Sequence, residues 1–414
     1  MLIGLVGKPN CGKSTFFKAS TLANVEIGNR PFVTIAPNHG IGYVRIECID
    51  KEFNTNCNPN HGFCINHHRF VPVELMDVAG LVPGASEGKG LGNQFLDELR
   101  QADAFVHIVD VSGTLDVEGK PVENHDVCKD VEFLEDELNK WFYNILMKIW
   151  RSFARKAEIE NMKFSEAVAH QFSGLKVKEE HVKDVLLKLD FSKKPSTWNK
   201  EQLKEFAVAL RKKSKPMIIA ANKIDTKDGK KNFEKLVKEF LDLMIVPCSA
   251  DFELALREAA KKELIEYIPG DDDFKIKGEL NDPENQGFSV SKSPEKMKQG
   301  LSDKQKQALE NIKKVLKEYN GTGVQEVLNM AVFNLLKYIA VFPVDSANKL
   351  TDSKGKVLPD CFLLPEASTA LDFAFHLHTD FGDNFIKAID AKTKRALGKS
   401  YVLKNKDVLE IVTR

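Results

Sequence analysis

The chain has 414 residues, a length that predicts two to three domains. Hydrophobic residues make up 43% and charged residues 29% of it, as in ordinary soluble globular proteins. The 60 basic side chains balance the 60 acidic ones, so the net charge of zero argues against a globally basic nucleic-acid-binding protein. DNA is therefore not indicated as a partner, although local basic patches stay open.

The chain carries no apolar run near the length of about 20 residues that spans a membrane, so no membrane partner is expected. Its first residues look like a buried strand rather than a cleaved signal peptide. Without a secretory signal, the seven cysteines are expected to be thiols. These features predict a cytoplasmic protein.

The strongest motif follows an apolar run at residues 2–6 and has the form G-x-x-x-x-G-K-[ST]. Its glycines let main-chain N–H groups point at phosphate oxygens, and the helix that follows directs its N-terminus at the anion. Lys13 would reach the β- and γ-phosphates, and the Ser14 hydroxyl would bind Mg²⁺. The predicted phosphate-binding residues are Gly7, Lys8, Pro9, Asn10, Cys11, Gly12, Lys13, Ser14 and Thr15.

Apolar strands alternate with helices and predict a doubly wound, mostly parallel α/β sheet, whose ligands bind at the carboxyl ends of the strands. The predicted strands are residues 70–76, 104–110, 216–221 and 244–248. About 100 residues separate the second strand from the third, whereas a simple βαβ crossover needs about 30. This interval predicts an inserted helical domain, with helices at residues 130–160, 165–172, 179–189 and 200–213.

An apolar stripe on the first inserted helix indicates packing within the insertion or a partner-binding face. Further along, residues 281–302 are polar and predict a loop. Residues 303–319 predict a lysine-rich helix, either simply solvated or in contact with RNA. Residues 323–339 predict an apolar helix packed on the α/β core, and the β-rich last 70 or so residues predict a small separate domain.

Three further segments complete a guanine-nucleotide site. Asp77 begins a D-x-x-G motif at a strand end, where the acid would hold Mg²⁺ through water and the Gly80 N–H would bond the γ-phosphate. Asp225, in Asn222-Lys223-Ile224-Asp225, can accept hydrogen bonds from N1 and N2 of guanine, a donor pair that adenine lacks. The other predicted base-site residues are Asn222, Lys223, Ser249 and Ala250.

The segment from residue 30 to residue 35 fits a switch, in which Thr34 would complete the Mg²⁺ shell and report the γ-phosphate. Thr21 has a weaker claim to this role because it lies in the first helix. Glycines at positions 84, 88, 90 and 92 predict a second mobile switch after Asp77. The predicted catalytic residues are Lys13, Thr34 and Gly80.

These motifs resemble those of the Obg/YchF group of translation-associated GTPases over nearly the whole chain. The resemblance rests on the phosphate loop, on Pro31-Phe32-Val33-Thr34-Ile35-Ala36-Pro37-Asn38, on the segment starting at Asp77, and on Gly88-Lys89-Gly90-Leu91-Gly92-Asn93-Gln94-Phe95-Leu96. The resemblance implies a helical insertion at 120–213 and a C-terminal TGS domain, a β-grasp module, at 342–414. Residues 1–119 and 214–341 would then form the P-loop domain. Some family members prefer ATP, but the base-reading motif kept here favours GTP.

Leu81 occupies the position where many GTPases place a water-orienting glutamine, and it has no hydrogen-bonding side chain. The resemblance implies that a hydrophobic residue here is a family habit. Hydrolysis should therefore be slow, with Lys13, Mg²⁺ and main-chain amides stabilising most of the charge. Asn10 is a candidate potassium ligand, because related GTPases with this asparagine use one. The alternative role of Asn10 is to brace the loop.

A cluster of cysteine and histidine residues precedes the strand at residue 70 and could bind zinc. Its spacing contains no C-x2-C pair, so a hairpin with incidental thiols is the alternative. The cluster consists of Cys48, Cys57, His61, Cys64, His67 and His68.

The sequence thus predicts a protein that binds GTP and GDP with Mg²⁺, hydrolyses GTP slowly and switches its affinity for a ribosome-related partner. The ribosomal link rests on the resemblance alone. One alternative is a scaffold whose insertion and TGS-like domain bind RNA or protein, with a merely structural nucleotide. Another is an ATPase.

Overall fold

In the computed structural model of the chain, the described residues are 1–22, 38–85, 98–189, 191, 194–277 and 302–414. Within them, a seven-stranded sheet forms the centre of the N-terminal part. Its strands are β1 (Leu2–Val6), β2 (His39–Glu47), β3 (Phe63–Ile65), β4 (His68–Asp77), β5 (Ala104–Asp110), β6 (Met217–Asn222) and β7 (Met244–Cys248). The doubly wound α/β prediction is confirmed, with strand ends shifted by at most two residues.

The strands lie in the order β2-β4-β1-β5-β6-β7, with β3 added beside β4. Pairing is parallel from β4 through β1, β5 and β6 to β7, and antiparallel between β4 and its neighbours β2 and β3. Every residue of β1 and β5 is buried, as expected for strands covered on both faces. The carboxyl ends of β1, β4, β5 and β6 therefore meet at one edge.

Helices cover the two faces of this sheet, and further helices form the insertion between β5 and β6. Helix α1 (Lys13–Thr21) follows β1 directly. Among the described residues up to Tyr319, the other α-helices are α2 (Cys128–Ile159), α3 (Phe164–Gln171), α4 (Glu179–Leu189), α5 (Lys200–Ser214), α6 (Gly229–Glu239), α7 (Ala250–Lys261) and α8 (Asp303–Tyr319). A two-stranded ribbon, β8 (Ile265–Glu266) with β9 (Lys275–Ile276), lies between α7 and α8.

The insertion between β5 and β6 consists of α2 to α5 and packs around aromatic side chains. Trp150 stacks on Trp198 with ring centroids 5.4 Å apart, and Phe206 contacts both rings. The apolar stripe of α2 is buried in this cluster, which also includes Leu2 and Phe105 of the sheet. The stripe is thus internal, and the insertion shares a core with the α/β domain.

The segment predicted as a helix at 323–339 divides into three elements, which corrects the prediction. Helix α9 (Val324–Asn329) continues as a π-helix (Met330–Leu335), and β10 (Tyr338–Val344) follows. Lys337 ends the helical part in a left-handed conformation with a φ of 56°. Because β10 belongs to the C-terminal sheet, the predicted domain limit between residues 341 and 342 falls inside a strand.

The C-terminal sheet has five strands among the described residues, in the order β11-β10-β14-β12-β13. Strand β10 pairs parallel with β14, and the other pairs are antiparallel. The remaining elements are β11 (Phe362–Pro365), α10 (Ala370–Leu377), α11 (Thr379–Asp383), β12 (Phe385–Asp390), β13 (Ala396–Leu397) and β14 (Asp407–Thr413). This mixed sheet with its helices matches the predicted small β-rich module. The polar segment 281–302, apart from Ser302, lies outside the described residues.

Candidate nucleotide-binding site

The phosphate loop joins β1 to α1 at the carboxyl edge of the sheet. Its main chain is left-handed at Asn10 and Gly12, with φ values of 61° and 99°. A Cβ atom on Gly12 would lie 2.2 Å from Nδ2 of Asn222, so a larger residue would displace that amide. Because α1 begins at Lys13, its first N–H groups have no partner within the helix and favour an anion.

The two lysines of the loop face different surroundings. The Lys13 ammonium is buried and donates to the carbonyl oxygens of Lys8 and Gly7 at 2.8 and 3.2 Å, so it already lies within the loop. The Lys8 ammonium lies 2.8 Å from the Asp130 carboxylate and donates to the Leu115 carbonyl at 2.7 Å. The Lys8 side chain is thus directed to the insertion, which leaves its main chain available to a phosphate.

Ser14 and Asp77 form an oxygen-rich pair suited to Mg²⁺. Asp77 ends β4, opposite Leu5 of β1, and one of its carboxylate oxygens accepts a hydrogen bond from the Ser14 hydroxyl at 3.0 Å. The other carboxylate oxygen, Oδ1, is buried without a hydrogen-bond partner among the described residues. Hydroxyl and carboxylate oxygens are the ligands that Mg²⁺ prefers, so these residues fit the ion. Thr34, the other predicted ligand, lies outside the described residues.

The predicted base-reading residues lie close together where β6 and β7 end. The Asn222 amide donates to the Cys11 carbonyl at 3.0 Å and accepts from the Ala250 N–H at 3.0 Å, so it ties the phosphate loop to the segment after β7. The Ser249 hydroxyl donates to one oxygen of Asp225 at 2.6 Å. This bond orients a carboxylate that still has acceptor sites for the donors of guanine.

Lys223 adopts a left-handed conformation with a φ of 66°. Its ammonium lies 2.7 Å from the Asp110 carboxylate and donates to the Asn10 carbonyl at 3.2 Å. The aliphatic part of the side chain thus extends from the base-reading motif toward the phosphate loop. Asp110, at the end of β5, is a site residue that the motifs alone did not reveal.

The segment after Asp77 lies directly against the phosphate loop. A Cβ atom on Gly80 would lie 2.7 Å from the Pro9 nitrogen, so this close approach requires glycine. The Leu81 N–H donates to the Gly7 carbonyl at 3.1 Å, while its side chain is buried in the core beneath the insertion. Leu81 is therefore a packing residue and presents no polar group to an attacking water.

The insertion contributes contacts that sequence reasoning missed. The Asp130 carboxylate, 2% exposed, also bonds His125 at 2.9 Å, and burial raises its pKa despite the neighbouring Lys8. The Asn10 side-chain amide donates to the carbonyl of Gly119, in the segment between β5 and the insertion, at 3.2 Å. These partners lie more than 100 residues from the loop, so no motif spacing could indicate them.

Three protein-family models match the chain. Residues 2–145 match a model described as 50S ribosome-binding GTPase. Residues 220–346 match the Obg-like GTPase YGR210-like, G4 motif-containing domain, and residues 344–413 match the TGS domain. The three matches together cover the sheet, part of the insertion and the C-terminal module.

Several known proteins are similar over most of their lengths. An uncharacterized GTP-binding protein of Methanocaldococcus jannaschii is 48% identical, with 100% of this chain and 99% of that protein covered. One of Schizosaccharomyces pombe is 37% identical, with 89% and 88% covered. The ribosome-binding ATPase YchF of Buchnera aphidicola is 27% identical over 99% and 98%.

The crystal structure of a GTP binding protein from Pyrococcus horikoshii OT3 has the same fold, with a TM-score of 0.75, 36% identity and full coverage of both chains. Within the described residues, no helix has the length and apolar character needed to cross a membrane.

Proposed function

We propose that this chain, which belongs to the Obg/YchF family of GTP-binding proteins, hydrolyses GTP slowly with Mg²⁺ and acts as a molecular switch at the ribosome. The observation that carries guanine selectivity is the Asp225 carboxylate, oriented by Ser249 beside the Asn222 bridge. Relatives named as ATPases exist, but the Asn-Lys-x-Asp motif retained here supports GTP. GDP would occupy the same site.

The mechanism follows from the residues around the phosphates. Lys13 and the first N–H groups of α1 stabilise negative charge on the β- and γ-phosphates. Ser14, Asp77 and Thr34 would hold Mg²⁺, which when bound neutralises charge on the transferred phosphoryl group. The Gly80 N–H bonds the γ-phosphate and loses that bond on hydrolysis. Because Leu81 is buried, no side chain at its position orients the water, and turnover is slow without help.

Base selectivity is tested by binding measurements with the full chain and the Asp225→Asn variant. Two hydrogen bonds to a charged group, worth about 1.5–3 kcal/mol each, predict a preference for GTP over ATP of about 10²–10⁴-fold. Asparagine keeps one acceptor and gains a donor. The variant should therefore bind GTP more weakly and xanthosine triphosphate more tightly, because the base of the latter has a carbonyl in place of the amino group.

The Asn222→Ala variant serves as the control, because it removes the bridge between the loops without changing the base-reading group. This variant should weaken the binding of GTP and of xanthosine triphosphate to the same extent. Equal affinities of the wild-type chain for ATP and GTP would contradict the proposed selectivity and favour an ATPase.

The switch is tested by sedimentation with purified ribosomes in the presence of GDP or a non-hydrolysable GTP analogue. We expect a larger bound fraction with the analogue, because only the triphosphate state engages Thr34 and Gly80. A Lys13→Ala variant, which weakens phosphate binding, should remove the difference. Equal sedimentation of the wild-type chain in both states would support the scaffold alternative.

A further inference from the structure

Three thiols and one carboxylate converge beside the β3–β4 hairpin, at the opposite end of β4 from Asp77. One possible ligand atom from each residue lies within 4.8 Å of all the others. The four residues are Cys48, Asp50, Cys57 and Cys64. Two of them, Cys48 and Asp50, are almost fully buried, with exposed fractions of 1% and 2%.

The distances fit a shared metal ion better than a disulfide. The Sγ atoms of Cys48 and Cys57 are 3.6 Å apart, whereas bonded sulfurs are about 2.05 Å apart. Two thiolates on a tetrahedral zinc ion, each about 2.3 Å from the metal, lie about 3.8 Å apart. The Cys64 Sγ lies 4.0 Å from Oδ2 of Asp50, a comparable separation for a sulfur and an oxygen around one ion.

The Asp50 carboxylate is held in place by neighbours on both of its oxygens. Oδ1 lies 2.9 Å from Nδ1 of His67, and Oδ2 accepts the Cys57 N–H at 3.2 Å. The Cys48 N–H donates to the His67 carbonyl at 2.7 Å, so the two ends of the segment 48–67 are hydrogen-bonded to each other. Such outer hydrogen bonds orient ligands in metal sites, and here they involve the hairpin turn that follows Cys64.

We propose that Cys48, Cys57, Cys64 and Asp50 bind one zinc ion. Soft thiolates select zinc over Mg²⁺ or Ca²⁺, and four protein ligands make a closed structural site. Four anionic ligands around a divalent cation retain two negative charges. The buried guanidinium of Arg69, directly opposite Cys64 in the β3–β4 ladder, places a positive charge beside them.

The spacing in the sequence did not reveal this set, because the hairpin rather than a short loop brings the ligands together. Of the three histidines that the sequence grouped with the thiols, His67 contacts Asp50, while His61 and His68 are not among the four converging residues. The carboxylate was absent from the sequence-based cluster altogether. Zinc here would be separate from the nucleotide and its Mg²⁺.

The proposed ion would fix a loop that also contacts the C-terminal domain. The N–H groups of Asn58 and Asn60 donate to the carbonyls of Val357 and Pro359, each at 2.8 Å. Both donors lie between the ligands Cys57 and Cys64. A metal ion at this site would therefore stabilise the loop that contacts the C-terminal domain.

The test is the metal content of the full chain, purified with reductant and without added metal, by inductively coupled plasma mass spectrometry. We expect about one zinc per chain, as in closed structural sites. The Cys64→Ser and Asp50→Asn variants should contain much less zinc. The Cys128→Ser variant, which alters a buried thiol on α2 outside the cluster, should keep it. The His67→Ala variant should bind zinc about 10–100-fold more weakly.

Cobalt substitution of the wild-type chain provides a second readout, because thiolate ligands give an intense charge-transfer absorption that depends on Cys57 and Cys64. Folding of every variant is checked by circular dichroism and GTP binding. Absence of zinc from the wild-type chain, as purified and after incubation with zinc salt, would overturn the proposal. A disulfide found by thiol counting in such zinc-free protein would assign the pair Cys48 and Cys57 to redox chemistry instead.

Discussion

Among single residues, Asn222 connects two segments of the predicted nucleotide site. The motif predicts that it braces the base and the loop, and its amide bonds both Cys11 of the phosphate loop and Ala250 beyond β7. The position of these segments at one edge of the sheet could be predicted, because each follows the carboxyl end of a strand. The ion pair between Lys8 and Asp130 could not, because the two residues are far apart in the sequence and no motif relates them.

Asn10 is the residue at which the monovalent-ion hypothesis can be tested. We expect GTP turnover to rise when potassium replaces sodium, because a cation beside the phosphates adds the positive charge that no side chain supplies near Leu81. In the Asn10→Gly variant the response to potassium should disappear. Glycine adopts the left-handed conformation seen here, with a φ of 61°, without strain. The measurement is the steady-state rate of phosphate release in matched potassium and sodium salts.

Asn10→Asp is the matched control, since aspartate keeps an oxygen ligand and also tolerates this conformation. It should retain the potassium response. The Asn10 amide also donates to Gly119, so a purely bracing role predicts a different pattern. In that case turnover of the wild-type chain is equal in the two salts, and the Asn10→Gly variant is impaired equally in both.

At the scale of elements, the segment after Gly323 was predicted as one helix, but its last residues belong to the strand β10. When an apolar run follows a helix, its periodicity cannot distinguish a continuation of the helix from a buried strand. Residues 338–344 are rich in aromatic and β-branched side chains and form a strand because β11 and β14 flank them. By contrast, α2 was predictable because its apolar side chains recur with a clear helical period.

The insertion contacts the nucleotide site on two sides. Lys8 of the phosphate loop pairs with Asp130 in the first turn of α2, and the Gly84 N–H donates to Glu137 of the same helix at 2.8 Å. Gly84 begins the predicted second switch. A change in the main chain at Gly80 on loss of the γ-phosphate would therefore reach α2 through a few residues, which gives the proposed switch a physical connection to the insertion.

At the scale of the whole molecule, the C-terminal domain shares a core with the P-loop domain. One continuous apolar cluster includes Ile3 and Leu5 of β1 together with Phe342 and Val408 of the C-terminal sheet. The sequence predicted a separate small C-terminal domain, and the P-loop and TGS family models match different parts of the chain. The sequence did not predict their common core, because the apolar pattern of each domain can be explained by packing within that domain alone.

Arg69 is the buried polar connection between these two domains. Its guanidinium, 0% exposed, donates to the carbonyls of Leu358 and Pro359 at 3.0 and 2.8 Å. Replacing it by methionine leaves the Leu358 carbonyl without this donor, while the Pro359 carbonyl keeps only the Asn60 N–H. The Arg69→Met variant should lose about 3–6 kcal/mol of unfolding free energy, since its two hydrogen bonds from a charged group contribute about 1.5–3 kcal/mol each. The measurement is urea unfolding, together with limited proteolysis of the C-terminal domain.

Lys406→Met is the matched control, because it removes the exposed ion pair between Lys406 and Glu47, 3.0 Å long, across the same interface. Exposed pairs contribute about 0–1 kcal/mol, so this variant should unfold nearly as the wild type does. Zinc content is measured in both variants, since Arg69 lies opposite the proposed ligand Cys64. If both variants lose the same small amount of stability, then the apolar cluster holds the domains together without a contribution from the buried guanidinium.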